Sequence, residues 1–149
     1  MPAPSLVEAI RAEATWSPAD LVQKFGSTGA VAAQLAGTRD RKSTAFKAAQ
    51  RNVQRWLQGT RHPNKQTQQR LNQIGNKGES KKIHLDGEIW VRDRKYKRQR
   101  QIDIDFDEQQ WEELTDLAME GDEEALWDLV GEIYGPGYMG MESGDITFS

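Results

Sequence analysis

Apolar residues recur along this chain with two different periods, helical in its first half, alternating from Ile83 to Asp107, and helical again from Glu108 to Tyr134. Ser5 opens a short helical stretch with Leu6, Val7 and Ile10 on one side. Ser17-Pro18 is an N-cap followed by proline at the first helical position; Leu21, Val22 and Phe25 follow at helical spacing, and Gly26 ends the segment. From Ala30 to Gly37, Val31 and Leu35 stand four apart, and the small residues between them let another backbone come close. That pattern suits the first, positioning helix of a helix-turn-helix. A longer helix is predicted over Ser43 to Leu57, where Phe46, Ala49, Val53, Trp56 and Leu57 form one apolar stripe. Gly59 caps it, Thr60-Arg61-His62-Pro63 turns, and a polar helix ends near Ile74.

The period then changes. Gly75 to Lys82 is polar and glycine-bearing, the pattern of a linker. Ile83 to Val91 alternates around Asp86-Gly87, a two-residue hairpin signal, and Gln101 to Asp107 alternates as a strand. Three short antiparallel strands are expected, with Arg92 to Arg100 forming or flanking the second turn. Two helices follow: Glu108 to Met119, with Trp111, Leu114, Leu117 and Ala118 on one face, and Glu123 to Tyr134, with Leu126, Leu129, Val130 and Ile133 together. Gly135 to Met141 reads as a loop and Asp145 to Ser149 as a last short strand. The expectation is an α+β protein: a helix-turn-helix domain over 1–75, a linker at 76–82, and a basic β-hairpin with an acidic β-α-α-β dimerisation module over 83–149.

Length and composition narrow this picture. The chain has 149 residues, 36% of them apolar, with five Trp, four Phe and three Tyr to anchor cores. That supports two modest cores, or one core completed by a second subunit. No apolar run reaches the roughly 18 residues of a membrane span, and Glu8, Arg11 and Glu13 interrupt any signal-peptide core after Met1-Pro-Ala-Pro-Ser5. Cysteine is absent, so disulfides and thiolate metal sites are excluded. A cytoplasmic, nucleoid-associated, prokaryotic setting is expected.

Charge changes the picture most. All twenty Lys and Arg lie in the first 100 residues, against eight acids; the last 49 residues hold fifteen Asp and Glu and no base. A pI of about 5.5 conceals this polarity. A basic segment of this kind points to a polyanion. Beside its apolar stripe, the 43–57 helix displays Lys47, Gln50, Arg51, Gln54, Arg55 and Gln58, and no acid occurs between Lys42 and Gly78. Arg pairs bidentately with guanine, Gln with adenine, and Lys mostly with phosphate. A solvated structural face would mix Glu with its bases. Candidate DNA contacts are therefore Arg39, Arg41, Lys42, Lys47, Gln50, Arg51, Gln54, Arg55 and Arg61, with a merely basic surface as the alternative. Arg94, Lys95, Lys97 and Arg98 are candidates on an arm or wing; protection of a sheet edge is the alternative there.

Asp103, Asp105 and Asp107 alternate with Ile102, Ile104 and Phe106. Paired carboxylates hold Mg²⁺ in nucleases, but period-2 spacing explains them more simply as the wet face of a strand. His62 and His84 are too few and too far apart in sequence for a recognisable metal site. No catalytic residue, metal or cofactor is expected.

Val31-Ala32 with Leu35, followed by Arg51-Asn-Val-Gln-Arg-Trp-Leu-Gln-Gly-Thr-Arg-His-Pro63, resembles the helix-turn-helix of the actinobacterial telomere-associated terminal proteins, and more loosely that of phage-repressor-type proteins. The resemblance covers residues 26–75 and, more weakly, the order of elements up to 134. It implies that Gln50, Arg51, Gln54 and Arg55 face bases and that Val53 and Trp56 are buried. It departs from the family at Thr38 to Ala48, which adds about ten residues between the two helices; these either extend the second helix or form a basic loop along phosphates. The expected function is sequence-specific duplex DNA binding by a homodimer or higher oligomer, in regulation, replication or plasmid maintenance. The alternatives are a terminal-protein-like factor presenting a hydroxyl for covalent nucleotide attachment, and an adaptor whose acidic half recruits a basic protein.

Overall fold

The computed structural model describes residues 3–135 and 138–149. It has α+β architecture, and the chain falls into two compact units. The helical unit is Thr15–Lys77; the sheet unit is Met1–Ala14 with Gly78–Ser149. The helical unit is thus an insertion in the sequence of the sheet unit, and the expected domain of 1–75 loses its first helix.

The helical unit contains α2 (Pro18–Phe25), α3 (Thr28–Ala36), α4 (Thr44–Gln58) and α5 (Lys65–Asn76). Each N-cap is a Ser or Asn whose side chain accepts an amide two or three residues into the helix: Ser17, Ser27, Ser43 and Asn64. Gly26, Gly37 and Gly59 end α2, α3 and α4 in the left-handed conformation. Leu21, Val31, Val53 and Leu71, one from each helix, are fully buried together, with Trp16, Val22, Phe25, Leu35, Trp56 and Ile74 packed around them. The segment read as the start of a linker is instead the seat of Trp16. A Cβ on Gly75 would lie 2.2 Å from the Trp16 ring, so glycine alone fits beneath it. Trp16 Nε1 donates to Asn76 Oδ1 (2.9 Å), its backbone N–H donates to Asn72 Oδ1 (2.9 Å), and Lys24 Nζ lies 5.1 Å over its ring.

The sheet unit begins with α1 (Leu6–Glu13) and continues through β1 (Lys81–Val91), a single 3₁₀ turn (Arg94–Tyr96), β2 (Arg98–Phe106), α6 (Glu108–Glu120), α7 (Glu123–Tyr134) and β3 (Met139–Phe148). The three strands are antiparallel in the order β2-β1-β3. Ile83, Leu85 and Ile89, with Ile102, Ile104, Phe106, Met139 and Met141, form a buried core with Leu6, Val7, Ile10, Trp111, Leu114, Leu126 and Val130. This unit finds the apolar surface it lacked over 83–149 in the chain's own first helix. Both ends of α1 are fastened: Glu123 accepts from the Ser5 hydroxyl (2.7 Å) and the Leu6 amide (2.8 Å), while Arg11 Nε donates to Ala118 O (2.7 Å).

Two strand expectations change. Asp86-Gly87 is not a turn: β1 runs straight through it, with Gly87 opposite Gly144 and a register shift at Glu88/Ile89. A Cβ on Gly87 would sit 2.1 Å from Ser143 O, so the glycine permits close strand approach beside a bulge. The real β1–β2 turn is the basic run. Of the loop expected at 135–141, Pro136 and Gly137 lie outside the described residues, while Met139, Gly140 and Met141 are buried strand; β3 starts six residues before the expected Asp145.

Candidate nucleic-acid interface

The helical unit carries eleven Lys and Arg against two acids; the sheet unit carries nine against twenty-one. The units thus carry net charges of +9 (eleven bases less two acids) and −12 (nine less twenty-one), so the polarity of the sequence persists in the folded units. Neither acid in the helical unit pairs with a base among the described residues. Asp20 completes the capping box of α2. Asp40 organises the α3–α4 connection by accepting from the Lys42 amide (3.0 Å) and, at its carbonyl, from the Ser43 amide (3.0 Å).

In α4, Phe46 and Val53 are buried, Ala49 and Trp56 are half-buried, and Leu57 at the end of the expected stripe is exposed. The buried position implied for Val53 is observed, and that for Trp56 is reached only in part. On the other side Lys47, Arg51 and Gln54 are exposed, while Gln50 and Arg55 are half-buried. None of these five side chains makes an ion pair or side-chain hydrogen bond among the described residues. A solvent-exposed helix of structural use would show i,i+4 partners here; α4 has none because it contains no acid.

The segment expected to add ten residues between the two helices is divided. Gly37 to Ser43 connects α3 to α4, and Thr44 to Ala48 is the first turn of α4. The segment thus lengthens the second helix in one part and forms a connecting loop in the other. Arg39, Arg41 and Lys42 are exposed on the connection, and Arg61 is exposed beyond α4. Arg39 and Arg41 border a cavity of about 380 Å³ together with Phe25, Ser27, Gln34 and Phe46.

No protein-family model, curated protein or solved structure matches this chain. The site is read from its own chemistry.

The four arm candidates of the sheet unit are less uniform than their sequence. Arg94 lies 5.1 Å over the Trp90 ring and bonds Glu142 Oε2 at 3.2 Å, and Lys97 Nζ approaches Glu142 Oε1 at 3.9 Å. These two are partly engaged at home. Lys95 and Arg98 are exposed without an ion-pair partner among the described residues. Arg92 adopts φ +74°, a left-handed conformation that costs a side-chain-bearing residue about 1–2 kcal/mol. Its amide donates to Tyr138 O, which extends the β1–β3 ladder by one rung. Sequence reading missed Trp90, Glu142 and Tyr96 here. Tyr96 was legible as the one aromatic residue inside the basic run; Glu142 was not, because only the pairing of β3 with β1 brings it there.

Asp103 and Asp105 stand exposed on the open face of the sheet, and Asp107 caps α6. His84 bridges the strands of that face, with Nδ1 2.7 Å from Asp103 Oδ1 and Nε2 2.7 Å from Ser149 Oγ. Among the described residues no three His, Asp or Glu converge as a metal site. Among the described residues no helix is long and apolar enough to cross a membrane.

Proposed function

We propose that this chain is a sequence-specific duplex DNA-binding protein that uses its helical unit. The polar side of α4 lies in the major groove, with Arg51 and Gln54 against base edges. Arg39, Arg41, Lys42 and Arg61 lie along phosphates and set the register. One observation carries this reading. A helix buried on one side by Phe46 and Val53 presents on the other Lys47, Arg51 and Gln54, all exposed and all without a partner among the described residues. A cationic, amide-bearing face with no acid in its own helix is electrostatically incomplete, and a duplex supplies the missing charge together with bidentate acceptors. The resemblance of residues 51–63 to terminal-protein helix-turn-helix segments points the same way.

The sheet unit, net acidic except at its arm, is repelled by phosphate over most of its surface and so leaves docking to the helical unit. Selection of duplexes from a random pool at fixed salt, followed by footprinting, tests the reading. A recovered consensus that vanishes in the Lys47, Arg51 and Gln54 triple alanine variant supports it; a parent protein that recovers no consensus contradicts it. Footprint length and symmetry report the number of subunits bound.

A further inference from the structure

We infer that the arm of the sheet unit is a second nucleic-acid site, which takes an unpaired base of a single strand on the Tyr96 ring. Tyr96 is 69% exposed at the tip of the β1–β2 connection, yet the backbone holding it is fixed from several directions. Asp93 closes the single turn, accepting from the Lys95 amide at its side chain (2.9 Å) and from the Tyr96 amide at its carbonyl (3.0 Å). Arg100 Nη2 donates to Tyr96 O at 3.3 Å. At the base of the arm a layered stack sets the direction. Gly140 lies under Trp90 so closely that a Cβ would meet the ring at 2.2 Å, and Arg94 covers the ring while Glu142 holds Arg94 in place. One face of Trp90 is therefore taken by a guanidinium.

A large aromatic ring held in water by an ordered turn, with free cations beside it, matches the two requirements of single-strand binding: a stacking surface and charge for the backbone. Lys95 and Arg98 supply that charge. Bases inside a duplex are already stacked on their neighbours, so the ring selects bases that are unpaired. The open sheet face, with Asp86, Asp103, Asp105 and Asp145 exposed, would repel a strand laid across it and confines contact to the arm. This site lies in the sheet unit and stands or falls separately from the duplex reading of α4.

The test is a titration of the full-length chain, and of its variants, against a short oligo-dT carrying one 2-aminopurine, at fixed low salt. The parent should bind and quench the 2-aminopurine. Tyr96→Ala should weaken binding about 5- to 100-fold and abolish the quench, while Tyr96→Phe retains both. Lys95→Ala should lower the salt slope by about 0.7 without altering the quench. Gln109→Ala, exposed on α6 and outside both proposed sites, should leave single-strand binding unchanged. Because Tyr96 is exposed, an unaltered thermal melt is expected for its variants. Binding of Tyr96→Ala within about twofold of the parent overturns the inference. So does loss of single-strand binding in Arg51→Ala with Tyr96→Ala unaffected, which would place the strand on α4. A parent that prefers poly-glutamate to the oligonucleotide assigns the arm to an acidic protein surface and equally overturns it.

Discussion

The two units solve the problem of surface charge in opposite ways. In the sheet unit most cations have an occupation, Lys95 and Arg98 of the arm excepted: Arg11 caps α6, Lys81 pairs with Glu13 at 2.9 Å, and Arg94 and Lys97 share Glu142. In the helical unit, Lys24 donates to the Gly75 and Lys77 carbonyls and Arg70 to Leu35 O, but the cations of α4 and its approach bond nothing among the described residues. A cation consumed by its own fold serves stability, and one left unanswered by a whole helix face is available to a partner. That contrast, rather than the number of bases, singles out α4.

The contrast can be broken or sharpened by substitution. The largest effect is expected at Trp111, fully buried and edge-on to Phe148 with ring centroids 5.6 Å apart. Trp111→Ala should destabilise the sheet unit by about 3–5 kcal/mol, read as faster amide exchange in α6 and α7. Gly75→Ala comes next and has a sign worth testing. In an unpacked helix the change would stabilise by about 1 kcal/mol. Beneath Trp16 it should instead destabilise the helical unit by about 1–3 kcal/mol in a denaturant titration, and a gain in stability would refute the packing described here.

Arg51→Ala should cost about 1–3 kcal/mol at one base pair of the selected site and relax preference there, as competition between single-base variants of the site would show. Lys42→Ala should be the mildest change, a similar small loss on all sequences with the salt slope flattened by about one unit. If Lys42→Ala instead altered sequence preference, the division between α4 and the connection before it would be wrong.

Helix positions were legible because caps and periodicity agree: Ser17 caps α2 and Gly59 ends α4 where the sequence places them. Strand topology was less so. Asp86-Gly87 carries the chemistry of a tight turn, but a glycine in a strand also permits close approach, and only the partner at Ser143 and Gly144 decides between the two. Likewise Gly75-Asn76 has linker composition and helix function, because Trp16, some sixty residues earlier, needs a bare backbone and an acceptor there. The ownership of α1 was invisible for the same reason: its apolar stripe says that it packs, not against what. The cationic face of α4 was readable directly, since a run without acids denies local partners whatever the tertiary fold.

Duplex titration of the parent and of the Lys47, Arg51 and Gln54 triple alanine variant over a series of salt concentrations probes the account most directly. The parent should bind at low ionic strength, with log affinity falling linearly against log salt by about 0.9 per phosphate contacted, and the variant should lose both sequence preference and part of that slope. A parent indifferent to duplex at low salt, or a variant indistinguishable from it, would contradict the claim that α4 is left incomplete for DNA.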